Sequence, residues 1–170
     1  MRATCVATIA VLLASVSWVC LAQDEVPMPP VEPKFNPAPD DVKPVVEPFL
    51  AAVLNKIDAK AAAAICTTPF LTVEEETLKE NVEAYLAKLL EGGQDTGLSI
   101  KAIEVSEKTL KDVWEGYPTE FAADTVCRAT LKQKGEAAGA GEEWADEAIL
   151  LLRKAEGKWK VSGVISLPWF

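Results

Sequence analysis

The sequence predicts an α+β domain, with three helices in its N-terminal half packed on a curved antiparallel sheet. Three observations carry this expectation. Apolar residues recur at helical spacing up to Gly92-Gly93. From Gly97 onward the period shifts toward two. The order, helices first and a meander of strands after, is the pattern of helices laid on one face of an antiparallel sheet.

Composition narrows the chemistry before any element is placed. The 170 residues carry 17 Lys+Arg against 26 Asp+Glu, a net charge of -9, and contain no His. A Ser–His–Asp or Cys–His pair and a His metal site are therefore excluded. The acidic balance offers no cationic surplus for nucleic-acid phosphates. No metal site or cofactor is expected. The Glu74–Glu76 run reads as helix-start electrostatics.

Residues 1–22 have the layout of a secretory signal: Arg2, an apolar run from Val6 to Val19, and Cys20-Leu21-Ala22 before Gln23. An uncleaved anchor is the alternative, since about 20 apolar residues can span a bilayer. Cleavage would remove Arg2, Cys5 and Cys20, leaving a net charge of -10 and two cysteines. The mature protein is then expected to be exported, periplasmic or secreted, without stable membrane insertion. Eight of the eleven prolines fall between Val26 and Pro48. Residues 23–43 therefore read as a Pro-rich, disordered tether, and residues 44–170 as the folded domain.

Each element follows from local signals. Val46, Phe49, Leu50, Val53 and Ile57 form one helical stripe, with prolines tolerated in the first turn. Asp58 is placed to cap a short Ala-rich helix from Ala59 to Ile65, which Thr67-Thr68-Pro69 ends. Thr72 and Glu75 form a capping box for a third helix, whose stripe is Leu78, Val82, Tyr85, Leu86 and Leu89. Leu98–Val105 reads as a strand, and Thr109–Thr119 as a loop with a helical turn that covers one end of the sheet. Phe121–Leu131 reads as a strand with Phe121, Ala123, Thr125, Cys127, Ala129 and Leu131 inward, and Asp124, Arg128 and Lys132 outward. Trp144–Arg153 is a central strand covered on both faces. After a Glu156-Gly157 turn, Trp159, Val161, Gly163 and Ile165 alternate inward.

Three stretches together carry a resemblance: FLAAVLNKIDAKAAAAICTTPF (Phe49–Phe70), the capped segment from Thr72, and EAILLLRKAEGKWKVSGVIS (Glu147–Ser166). Over about residues 44–168 the chain resembles the NTF2-like superfamily, a cone-shaped α+β fold. The resemblance implies a pocket between helices and concave sheet, for which Tyr85, Phe121, Thr125 and Trp159 are the candidate lining residues. It covers isomerases and dehydratases as well as noncatalytic binding and dimerisation modules. Isomerases of this group use pocket Asp and Tyr residues, and no such set aligns here. Tyr85 also fits a core position with its hydroxyl at the rim.

Cys66 and Cys127 are the candidate disulfide, permitted by export and worth roughly 4 kcal/mol for a loop of this length. Two buried free thiols are the alternative. Asp124, Asp146 and Glu147 are candidate acid–base groups, each more simply a solvated strand residue. The lysines, Lys101 to Lys160, are scattered and read as solubilising. Trp144 and the Leu167–Phe170 tail read as covering the domain or as a homodimer seam through the sheet. The expected function is an exported noncatalytic module that binds a small apolar ligand or a protein partner at the cell envelope. The alternative is an Asp/Tyr-dependent lyase or isomerase acting in the cone.

Overall fold

The computed structural model describes residues 33–72, 77–113, 118–133 and 145–168. The expected signal, the Glu74–Glu76 run, Trp114, Tyr117, most of the Gly/Ala-rich connection and Trp169-Phe170 lie outside the described residues. Among the described residues, seven strands form one sheet in the order β1-β4-β5-β6-β7-β2-β3. They are β1 (Phe35–Pro37), β2 (Cys66–Thr72), β3 (Thr77–Lys79), β4 (Leu98–Thr109), β5 (Thr125–Gln133), β6 (Ala145–Ala155) and β7 (Lys158–Ser166). All neighbours run antiparallel except β2 and β7, which are parallel. The helices are α1 (Lys43–Leu50), α2 (Ala59–Ala63), α3 (Val82–Leu89) and the short α4 (Leu110–Val113).

The first helix forms as its stripe predicts. Val46, Phe49, Leu50 and Val53 are buried, and Ile57 packs against the same core. Beyond Pro48, which has no N–H for the helical ladder, α1 widens into a π-helix over Ala51–Lys56. It ends at Ile57 with φ 51, a left-handed conformation uncommon for a β-branched residue. Asp58 caps α2 as expected, accepting from the Ala61 amide at 2.9 Å.

Three expectations are corrected here. The helices are not three in succession ahead of the sheet. Thr72 ends β2 and pairs with Thr77 of β3, so it is a strand residue and not the expected N-cap. The third helix starts at Val82, capped by Asn81, whose side chain accepts from the Ala84 amide at 3.0 Å. Leu78 consequently leaves the apolar stripe and is exposed. The Thr67-Thr68-Pro69 stretch, expected to end a helix, lies inside β2 with a cis bond before Pro69. Finally, the Pro-rich stretch expected to be a tether contributes to the fold: β1 pairs with β4, and Val42 is fully buried.

The central strands bury both faces. On the helix side, Cys127, Ala129 and Leu131 of β5, Ala148, Leu150 and Leu152 of β6, and Val161 of β7 pack against Phe49, Val53, Phe70 and Leu86. On the opposite side Leu71, Leu110, Phe121, Val126, Leu151 and Ile165 form a smaller cluster. Leu110 opens α4 and Phe121 ends a single 3-10 turn (Thr119–Phe121), so parts of the connection between β4 and β5 do pack on the sheet. Glu156 and Gly157 both have positive φ, 53 and 76, the backbone of a two-residue type I′ turn. Along β7 the register shifts between the partners of Leu151 and Leu152, and again between those of Ile149 and Leu150. The shifts break the simple alternation: Val161 and Val164 join the helix-side core, while Ile165 joins the opposite cluster.

Candidate functional site

The four expected pocket residues do not converge. Tyr85 of α3 packs at the edge of the helix-side core, its ring 6.2 Å from that of Phe70 and capped by Lys79 at 5.0 Å. Thr125 opens β5, half-buried, opposite Leu152. Trp159 is tied to the start of the domain, donating from Nε1 to Asp41 Oδ2 at 2.9 Å, with Lys154 Nζ 4.7 Å above its ring. Phe121 lies on the opposite side of the sheet, in the smaller cluster. The physical reason is local: the strand starts at Thr125, and residues 119–123 form a 3-10 turn continued by a second turn. The two-residue alternation read from Phe121 therefore does not hold there.

The expected disulfide is also corrected. Cys66 and Cys127 are both free and buried. They sit on β2 and β5, with β6 and β7 between them. Three strand steps separate them by about 14 Å, whereas a disulfide needs Cα atoms within about 7 Å. Burial pushes each thiol up to about 12, with nearby Lys160 opposing slightly at Cys66. Cys66 Sγ instead lies 3.3 Å from the Ala62 carbonyl, to which it donates.

The polar centre of the molecule is a node that the sequence reading placed in solvent. Asp124 is 3% exposed. Its Oδ1 accepts from Arg153 Nε at 2.8 Å, and its Oδ2 accepts from Ser162 Oγ at 2.6 Å. Arg153 Nη2 donates to the Glu120 carbonyl at 2.6 Å, and the guanidinium stacks 4.5 Å over Phe121. Arg153 and Ser162 were not singled out from the sequence. The available signal was a lone Arg following the Ala148–Leu152 run in a strand buried on both faces. The node joins β6, β7 and the turn before β5, on the face away from the helices. Ser162 is fully buried, and both carboxylate oxygens of Asp124 are engaged. Of the other carboxylates considered, Asp146 is half-exposed, and Glu147 is exposed and 3.8 Å from Arg128 Nη1. Among the described residues no three Cys, Asp or Glu side chains gather as metal ligands, and no helix is long and apolar enough to cross a membrane.

No protein-family model and no curated protein matches the chain. Solved structures do show similarity. The helical cell shape determining protein Pgp2 of Campylobacter jejuni is 11% identical, with a TM-score of 0.45 over 69% of this chain. The match spans 37% of that protein, little more than a third of its length. An NTF2-like protein of unknown function from Shewanella oneidensis is 14% identical, with a TM-score of 0.41 over 73% of this chain and 93% of its own. The described residues form an α+β fold, with the helices distributed differently from the sequence expectation.

Proposed function

We propose that the protein is a noncatalytic module that binds a protein partner, or a small apolar ligand, at the cell envelope. One observation carries the reading. Among the described residues the buried carboxylate is Asp124, and it is spent on Arg153 and Ser162 on the face away from the helices. The helix-side face presents apolar side chains such as Cys127, Leu131, Leu150 and Leu152, each 0% exposed under the protein's own helices. A general acid or base needs access to substrate, and that face offers none. The packing favours a protein partner over an enclosed ligand. Export rests on the pattern of residues 1–22.

Cell fractionation with mass spectrometry of the N-terminus tests export: a chain starting at Gln23 outside the cytoplasm is expected, and Met1 retained in a cytoplasmic chain overturns it. Thermal shift against a panel of small apolar compounds tests the site. No saturable stabilisation is expected for the partner-binding form. A saturable rise in melting temperature transfers the reading to ligand binding.

A further inference from the structure

The edge strand β1 is held in an unusual way. It pairs over three residues only, Phe35–Pro37, and Pro37 and Pro39 have no N–H to give to a ladder. Two backbone bonds flank it: Glu107 N–H donates to the Lys34 carbonyl at 3.0 Å, and Ala38 N–H to the Ile103 carbonyl at 2.9 Å. The side chains add a grip on both faces. On one, Glu107 Oε1 accepts from Asn36 Nδ2 at 2.9 Å and pairs with Lys34 Nζ at 3.4 Å. On the other, the Arg128 guanidinium lies 4.3 Å over the Phe35 ring. Arg128 is itself set by Glu104 at 2.9 Å and by Glu147 at 3.8 Å. The amide of Asn36 first, and the charge of Lys34 second, hold the Glu107 carboxyl below its ordinary 4.5.

Three successive side chains, a cation, an aromatic ring and a carboxamide, thus each meet a charged group of the sheet. The Lys34–Glu107 pair is solvent-exposed, at 75% and 49%, the class of ion pair that forms and breaks readily, whereas the Arg128–Glu104 contact is part-buried. A short, proline-flanked edge strand, whose apolar side chain Phe35 is only half-buried against the smaller cluster, opens locally before the core does.

We propose that the β4 edge at Ile103–Glu107 is a strand-docking site, with Glu107 and Arg128 as its readers. Its partner is an extended protein segment presenting a cation, an aromatic and a carboxamide at three consecutive positions. Lys34-Phe35-Asn36 occupies the site as an intramolecular stand-in, and a partner segment adds to the sheet by displacing it. The net charge of -9 favours a basic segment as the incoming strand. The proposal rests on the reading of the protein as a partner-binding module and names the partner's chemistry.

The test uses a fluorescein-labelled peptide of residues 31–38 as probe and the full exported chain. A Lys34→Glu, Phe35→Ser variant releases the strap. It is expected to bind the probe at least tenfold more tightly than the unsubstituted protein, and adding Arg128→Ala is expected to abolish that gain. Equal binding by the two proteins, or a gain that survives Arg128→Ala, overturns the site. Hydrogen exchange on the unsubstituted protein gives a readout that needs no variant to fold. The Ala38 and Glu107 amides are expected to exchange at least tenfold faster than those of Leu150 and Leu151. Equal rates would mean that β1 opens only when the whole domain unfolds, and would sink the proposal. Failure here leaves the broader reading to the fractionation and thermal-shift experiments above, which do not depend on β1.

Discussion

The two faces of the sheet bury their surface by different means. Under the helices, burial is apolar: Phe49, Val53, Leu86 and Phe70 close over Leu150, Leu152 and Val161. The opposite face has a smaller apolar cluster, and at its edge an ionic node, Asp124 with Arg153 and Ser162. Helices arrive with a ready apolar stripe and can cover a sheet without polar help. A connection such as residues 110–124 brings backbone carbonyls and caps that must be satisfied. Arg153 meets that need, holding the Glu120 carbonyl and the Asp124 carboxylate at once. The contrast teaches that a buried charge here marks where a connection is fastened to the sheet.

The largest expected effect tests the apolar face. Phe49→Ala removes a fully buried ring and is expected to cost about 3–5 kcal/mol, read from denaturant unfolding. A loss below about 1 kcal/mol would show that α1 is not an essential cover.

The ionic face is tested next. Asp124→Ala leaves Arg153 Nε and Ser162 Oγ without their acceptor, while Arg153 keeps the Glu120 carbonyl. The expected loss is about 2–4 kcal/mol, slightly under that of a wholly buried pair because Arg153 keeps contact with water. Joining it to Arg153→Met is expected to recover more than half of that loss, since apolar residues can replace a buried ion pair. If the double variant is as weak as the single one, the node does more than fasten the connection.

Gly163 tests the close approach of β7 to β2. A Cβ there would stand 2.5 Å from the Leu71 carbonyl and 3.1 Å from Leu151 Cδ1. Gly163→Ala is expected to cost about 1–3 kcal/mol by overpacking, seen as a lower thermal midpoint. A much smaller gain is expected at the hairpin turn. Glu156 holds φ 53, a conformation Asn tolerates better, so Glu156→Asn is expected to add about 0.5–1 kcal/mol.

The least effect is expected from the thiols over ordinary pH. Both are raised from 9.0 to about 12 by burial, so the folded state holds its protons longer than the unfolded one. Their contribution is complete below pH 9 and is lost as pH rises from there toward 12. A chain beginning at Gln23 is expected to show two thiols to an aromatic disulfide reagent when denatured, and almost none when folded at pH 8. Fast labelling of the native protein would contradict the burial of Cys66 and Cys127.

Much of the fold was legible where local pattern and tertiary need agreed. The α1 stripe, the Asp58 cap, the doubly covered β6 and the Glu156-Gly157 turn all follow from spacing and turn chemistry. The Thr72 capping box misled because its residue types suit a helix start, while pairing with Thr77 and β7 decides the conformation. The candidate pocket misled for a related reason. Alternation assigns a face only inside a regular strand, and Phe121 and Asp124 precede β5 while Gly163 and Ile165 sit among register shifts of β7.

By itself the sequence determined the α+β class, the apolar positions of α1, β5 and β6, and the exclusion of histidine chemistry, because composition and periodicity act locally. Tertiary structure alone decided the rest. Which strands are neighbours set Cys66 and Cys127 about 14 Å apart, brought Ser162 and Arg153 to Asp124, and recruited the Pro-rich Phe35–Pro37 as an edge strand. Those outcomes depend on contacts between residues distant in the chain, and no local spacing records them.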